Sequence, residues 1–265
     1  MEYKLILGDT LEQLKLLPDK SVQLMVTSPP YPGVCNMWGD LYKPENFEEA
    51  HKFLSLIWDE CLRILDDGCK MCINIANTKR RPYLANTAEV YQWAKGKCEP
   101  LGEIIWNKGY GQNGTAWGSY CNPSDMSLAD QHEYILIFRK LGERKKQSGY
   151  FINPKQFKSW RNSCWQIAPA KASDEKHIAP FPIEIPKRLI LLYSYPNETV
   201  LDPFSGSGTT GVASINFGRQ YIGIDHNAEY IKLSENNIEA NRNQTELYFE
   251  EVANVKQKVN DGKLF

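Results

Sequence analysis

An α/β fold, built on a doubly wound, mostly parallel sheet with a small insertion, is predicted by three features of this sequence. Short apolar runs alternate with helix-patterned segments over most of the chain. Two of those runs stop abruptly in proline- or glycine-rich turns, and one basic, aromatic-rich stretch breaks the rhythm. The 265 residues are 42% apolar and 24% charged, enough to bury a large core without disulfide or metal staples. No run approaches the ~18 apolar residues of a membrane span, and the N-terminal apolar run is too short for a secretory signal. An odd count of seven cysteines points to the reducing cytoplasm. The net charge of −1 carries no nucleic-acid signature as a total.

The elements follow in order. Residues 3–7 read as a strand ending at Gly8-Asp9, and 10–17 as a helix halted by Pro18. Residues 22–27 form a second strand, terminated because consecutive prolines cannot donate to a ladder. Asn46 with Glu49 makes a capping box for a helix whose apolar positions run from Phe47 to Leu65, with Gly68 as its stop. Strands are expected at 70–76, 101–106 and 133–138, with a glycine- and asparagine-rich stretch over 108–122. Pro186 suits the first turn of a helix reaching about Tyr193. Then come a strand at 199–201, a helix at 208–217, a strand at 221–224 and a helix at 228–242.

Between 199 and 211 the chain reads Thr-Val-Leu-Asp-Pro-Phe-Ser-Gly-Ser-Gly-Thr-Thr-Gly, so Gly206, Gly208 and Gly211 lie between a strand and a helix. Asp225 ends the next strand, where a carboxylate can take ribose hydroxyls. The absence of a Gly-Lys-Ser/Thr excludes a P-loop. Dinucleotide binding survives the glycine pattern, but Asp202 just before it would repel a pyrophosphate. A cationic ligand suits that carboxylate better, and S-adenosylmethionine carries both a sulfonium and an ammonium.

The other turn, Ser28-Pro29-Pro30-Tyr31, also follows a strand, where open α/β sheets place ligands. A nucleobase amine is a weak nucleophile because its lone pair is delocalised into the ring. Acceptors that hold its N–H bonds favour a more tetrahedral, reactive nitrogen. The Ser28 hydroxyl and the Pro29 carbonyl are such acceptors, the prolines fix their directions, and Tyr31 offers a ring to stack on the base.

Together, Ser-Pro-Pro-Tyr followed by Asp-Pro-Phe-Ser-Gly-Ser-Gly-Thr-Thr resembles the S-adenosylmethionine-dependent DNA amino-methyltransferases in their permuted, β-type order. The resemblance spans most of the chain. It implies catalysis by Ser28, Pro29, Pro30 and Tyr31. It implies cofactor binding by Asp9, His177, Asp202, Phe204, Ser205, Gly206, Gly208, Thr209, Thr210 and Asp225. Ser rather than Asp at position 28 resembles the branch that methylates cytosine N(4), with adenine N(6) as the alternative. A nicotinamide-dependent dehydrogenase would use the same glycine turn but leaves 28–31 unexplained. Cytosine C5 chemistry would need a Pro-Cys nucleophile, and that dipeptide does not occur.

Residues 139–161 hold eight basic residues against one acid, a net of +7, with four aromatics interleaved. Residues 196–251 hold nine acids and three bases, a net of −6. In the related family this basic position carries the target-recognition region. The expected organisation is therefore a catalytic domain over 1–138 and 177–265 with a recognition region at 139–176. Expected contacts to double-stranded DNA are Arg80, Arg81, Arg144, Lys145, Lys146, Lys155, Lys158 and Arg161. A cognate restriction endonuclease is an implied partner, and monomer and homodimer are both open. No metal is expected. Cys69 and Cys72 form a C-x-x-C without a second pair, so core packing is expected; Cys35 reads as packing or loop. His132 lacks the second histidine of a zinc helix, and His226 flanks Asp225.

Overall fold

The computed structural model describes residues 1–32, 46–78, 83–109, 118–126, 128, 131–147, 152–170 and 181–242. Its strands are β1 (Tyr3–Leu7), β2 (Val22–Thr27), β3 (Leu65–Ile75), β4 (Cys98–Asn107), β5 (His132–Lys140), β6 (Cys164–Gln166), β7 (Thr199–Asp202) and β8 (Gln220–Asp225). They form one sheet in the order β1-β8-β7-β2-β3-β5-β4-β6. Neighbours are parallel except around β5, which runs antiparallel between β3 and β4. One edge of the sheet therefore collects the carboxyl ends of seven strands and the amino end of β5. Open α/β sheets bind ligands at this edge.

Helices cover both faces. On one side lie α1 (Thr10–Lys15), α2 (Phe47–Ile64) and α3 (Asn86–Ala94); on the other lie α5 (Glu184–Tyr193), α6 (Thr209–Asn216) and α7 (Ala228–Asn241). Strand periodicity divides the core: Met25 of β2 faces the first layer, while Leu24 and Val26 face the second. In α2, Ala50, Leu54, Ile57, Trp58, Cys61 and Ile64 share one face, each at most 1% exposed. Burying each larger side chain contributes roughly 1.5–3 kcal/mol. The Asn46 side chain caps α2, accepting the Glu49 N–H at 2.9 Å.

Several expectations are corrected. The second helix ends at Ile64 rather than at Gly68, which sits inside β3 with φ +68°. Gly68 is needed there because a Cβ would fall 2.4 Å from the backbone nitrogen of Arg144. β3, β4 and β5 all extend beyond the ranges read from apolar runs. α3 was not anticipated, and neither were α4 (Pro154–Trp160) at the end of the basic stretch and β6 just beyond it. Trp160 and Trp165 are buried there, and β6 pairs in parallel with β4 to become an edge of the main sheet. Cys69 and Cys72 are free buried thiols belonging to cores on opposite faces, so β-strand geometry keeps them from ligating one ion. Among the described residues, no helix is long and apolar enough to cross a membrane.

Candidate active site

The prolines end β2 at the carboxyl edge, where Thr27 is buried and Ser28 and Tyr31 are half-buried. The Thr27 hydroxyl donates to Asp202 Oδ1 at 2.7 Å. That one bond ties the proline turn to the glycine turn. The Ser28 Oγ lies 3.0 Å from the Tyr31 Oη, and the Tyr31 hydroxyl donates to Glu133 Oε2 at 2.7 Å. Asn74 Nδ2 donates to Tyr31 Oη at 2.9 Å and to Glu133 Oε2 at 2.6 Å. Lys108 Nζ donates to Glu133 Oε1 and lies 5.0 Å from the Trp106 ring centroid. Burial, and then the Glu133 charge, pushes the Tyr31 phenol well above the usual tyrosine range, so it stays protonated at neutral pH.

Asn74, Lys108 and Glu133 were not among the candidates read from the sequence. Asn74 interrupts the apolar run of β3, and Glu133 and Lys108 border the apolar runs of β5 and β4. A buried polar residue at the end of a strand is the signal that could have found them. What they meet there depends on the reversed direction of β5.

The glycine turn runs from β7 to α6. Gly208 has φ +80°, and a Cβ there would lie 2.1 Å from the Ser234 Oγ. Gly206 has φ +50°, and the nearest atom to a Cβ there is the Phe204 carbonyl oxygen at 4.0 Å, so space opens beside the turn. The Ser205 Oγ is 2.9 Å from the Tyr221 Oη, and Phe204 packs edge-on to Trp58. The Thr209 and Ser207 hydroxyls are 3.4 Å apart, and Thr210 is buried in the first turn of α6. Asp225 accepts the Gly206 N–H at 2.8 Å and the Asn227 N–H at 2.9 Å, so its carboxylate holds the turn in shape. Asp9 caps α1, accepting the Glu12 N–H at 3.0 Å.

Asp202 is 1% exposed and, among the described residues, has no basic partner. Burial raises its pKa to about 6, opposed by hydrogen bonds from the Thr27 hydroxyl and the Phe204 N–H and helped by the charge of Asp225. A buried acid without a cation, beside open space over a glycine backbone, fits a ligand with a positive group. The sulfonium and ammonium of S-adenosylmethionine meet that requirement.

The expected DNA contacts divide. The Arg144 guanidinium is engaged within the protein: it bonds the Tyr193 carbonyl and Glu198 and stacks 4.8 Å from the Tyr195 ring centroid. Lys145 and Lys146 are exposed but follow β5, whose nine residues span roughly 25 Å away from Glu133. They line a groove of about 960 Å³ with Lys70 and Arg139 at the opposite edge of the sheet. Lys155 and Lys158 are exposed on α4. Exposed Arg161 lies just before Ser163, whose carbonyl accepts the Ile105 N–H. Arg80, Arg81, His177 and Cys35 lie outside the described residues.

Two joined turns at one edge, one fitted to a cationic nucleotide-like ligand and one to an amine, mark an amino-group methyltransferase. Residues 22–236 match the N6/N4 family model described as DNA methylase. The chain belongs to this family and is a DNA methyltransferase. It is 32% identical over 267 residues to the type II methyltransferase M.MjaI of Methanocaldococcus jannaschii, covering 84% of this chain and 86% of that one. It is 30% identical over 276 residues to the DNA adenine methyltransferase YhdJ of Escherichia coli, covering 96% and 87%. Among solved structures, TTHA0409 of Thermus thermophilus is described as a candidate DNA modification methylase complexed with S-adenosyl-L-methionine. It is 26% identical with a TM-score of 0.73, covering 91% of this chain and 96% of that one.

Proposed function

We propose that the protein transfers a methyl group from S-adenosyl-L-methionine to the N(4) amine of a cytosine flipped out of duplex DNA. The observation that carries this reading is Ser28 at the half-buried edge of the site, one residue from the bond that joins the two turns. S-adenosyl-L-methionine supplies an electrophilic methyl carbon on its sulfonium. Asp202 pairs with the positive end of the cofactor, and the open side of Gly206 lets it approach the backbone. Asp225 holds the turn, and Asp9, the N-cap of α1 just past β1, contacts the cofactor adenine. Flipping the base costs a few kcal/mol. Ser28 Oγ and the Pro29 carbonyl then accept the two amine N–H bonds beneath the Tyr31 ring. No proton leaves before attack, because the amine becomes acidic only once methylated.

Adenine N(6) is the second reading, favoured by the similarity to YhdJ. Expression in a methylation-free host, followed by modification-sensitive sequencing, distinguishes the two. N(4)-methylcytosine at a fixed context is the expected outcome; N(6)-methyladenine alone overturns the base assignment. We propose the C-terminal part of 139–176 as the recognition region, since β6 returns the chain to the carboxyl edge. A cognate restriction endonuclease fits the type II name of M.MjaI, and the cytoplasm fits free buried thiols.

A further inference from the structure

We infer that Glu133 is a positioning residue: through Tyr31 it fixes the Ser28 hydroxyl as an acceptor for the target amine and takes up the proton released after methylation. This rests on the proposed methyl transfer to a nucleobase amine.

The hydrogen-bond directions follow from the chemistry of the groups. Glu133 is an ionised carboxylate held at Oε1 by the Lys108 ammonium, so Oε2 can only accept. The single Tyr31 hydroxyl proton points to Oε2, at 2.7 Å. Tyr31 Oη therefore cannot donate to Ser28, and across their 3.0 Å contact the proton belongs to Ser28. Ser28 Oγ also accepts from Asn74 Nδ2 at 3.3 Å, which leaves one lone pair for a substrate N–H. Asn74 enforces the same polarity by donating to both Tyr31 and Glu133, while its buried Oδ1 goes without a partner among the described residues. Exposure falls along the chain, from half-buried Ser28 and Tyr31 to Glu133 at 8%.

In the reaction the amine nitrogen forms its bond to the methyl carbon as the carbon–sulfur bond breaks, and sulfur keeps that electron pair. The nitrogen then carries one positive charge and an excess proton. That proton passes to Ser28 Oγ as Ser28 gives its own to Tyr31 and Tyr31 gives its own to Glu133. The neutral product amine and a protonated Glu133 remain, with no other reactant required.

Glu133→Gln should reverse the polarity. Lys108 demands the amide oxygen, so the amide nitrogen faces Tyr31 and Asn74; the Asn74 amide turns to offer its unpartnered Oδ1, and the Gln nitrogen donates to Tyr31. Tyr31 then donates to Ser28 and occupies a lone pair meant for the substrate. The test is single-turnover methylation of DNA from a methylation-free host with labelled S-adenosylmethionine, alongside calorimetric cofactor binding. Glu133→Gln should slow transfer about 10–100-fold, leaving the cofactor Kd within about twofold. Tyr31→Phe removes the link, so adding Glu133→Gln to it should cost nothing further. A merely structural Glu133 would lower the rate in both backgrounds, and that result overturns the inference. So does a Glu133→Gln enzyme as fast as the wild type. Should Glu133→Gln fail to fold, Tyr31→Phe decides: it keeps the ring, so wild-type turnover in that variant overturns the relay. Absence of methylation by the wild-type protein would instead refute the proposed function.

Discussion

Asp202 shows at the residue scale how function and stability oppose each other. Its carboxyl has a pKa of about 6 when folded, against roughly 3.9 when unfolded. An acid with a raised folded pKa binds its proton more tightly in the native state. That contribution is full below about pH 4 and is lost as pH rises through 6. At neutral pH the buried charge therefore costs about 3 kcal/mol. Asp202→Asn should raise the melting temperature by about 5 °C at pH 7, because the amide oxygen still accepts from Thr27 and Phe204. The same change should weaken S-adenosylmethionine binding about 100-fold in calorimetry, since the cation loses its counter-charge. In the wild type, affinity should fall as pH drops below about 6, where Asp202 takes up a proton. A pH-independent Kd between 5 and 8 would show that the ligand does not meet this carboxylate. At the other turn, Ser28→Ala with Tyr31→Ala should abolish methyl transfer and leave cofactor binding within about threefold.

At the scale of elements, the two glycines of one turn serve different purposes. Gly208 starts α6 with φ +80° where a side chain would run into Ser234 of α7, so Gly208→Ala disturbs the contact between two helices. It should lower stability by about 3 kcal/mol in urea unfolding, from left-handed strain plus overpacking. Gly206 faces open space, so Gly206→Ala should cost only about 1 kcal/mol of stability while markedly weakening cofactor binding. β1, β2 and the start of α2 at its Asn46 cap were legible to the residue, because periodicity and punctuation agree there. α3, α4 and β6 were not. α3 has no side-chain cap, α4 lies within the charged run 139–161, and β6 is only 3 residues long. Gly68 looked like a helix stop, but its conformation serves a contact 76 positions along the chain.

For the whole molecule, charge had to be located before it could be interpreted. The net of +7 over 139–161 is distributed along a path that begins at the edge opposite Tyr31. A duplex whose base enters the site near Ser28 lies at the carboxyl edge, so Lys145 and Lys146 are poorly placed to touch it. Lys145→Ala with Lys146→Ala should leave the slope of log Kd against log salt unchanged. Each lost phosphate contact would instead reduce it by about 0.9. A slope reduced by two contacts would place the DNA across the groove instead.

The two turns, their order and the acids beside them were readable from local sequence. A proline pair after a strand and glycines before a helix impose their geometry over a few residues, whatever lies elsewhere. The hydrogen-bonded network around Tyr31 was not readable in this way. Asn74, Lys108 and Glu133 come from three different strands or their ends, and Glu133 reaches Tyr31 only because β5 runs against its neighbours. The same reversal carries Lys145 and Lys146 to the far edge. Strand direction is a property of the assembled sheet, set by how distant segments pack, and no local pattern encodes it.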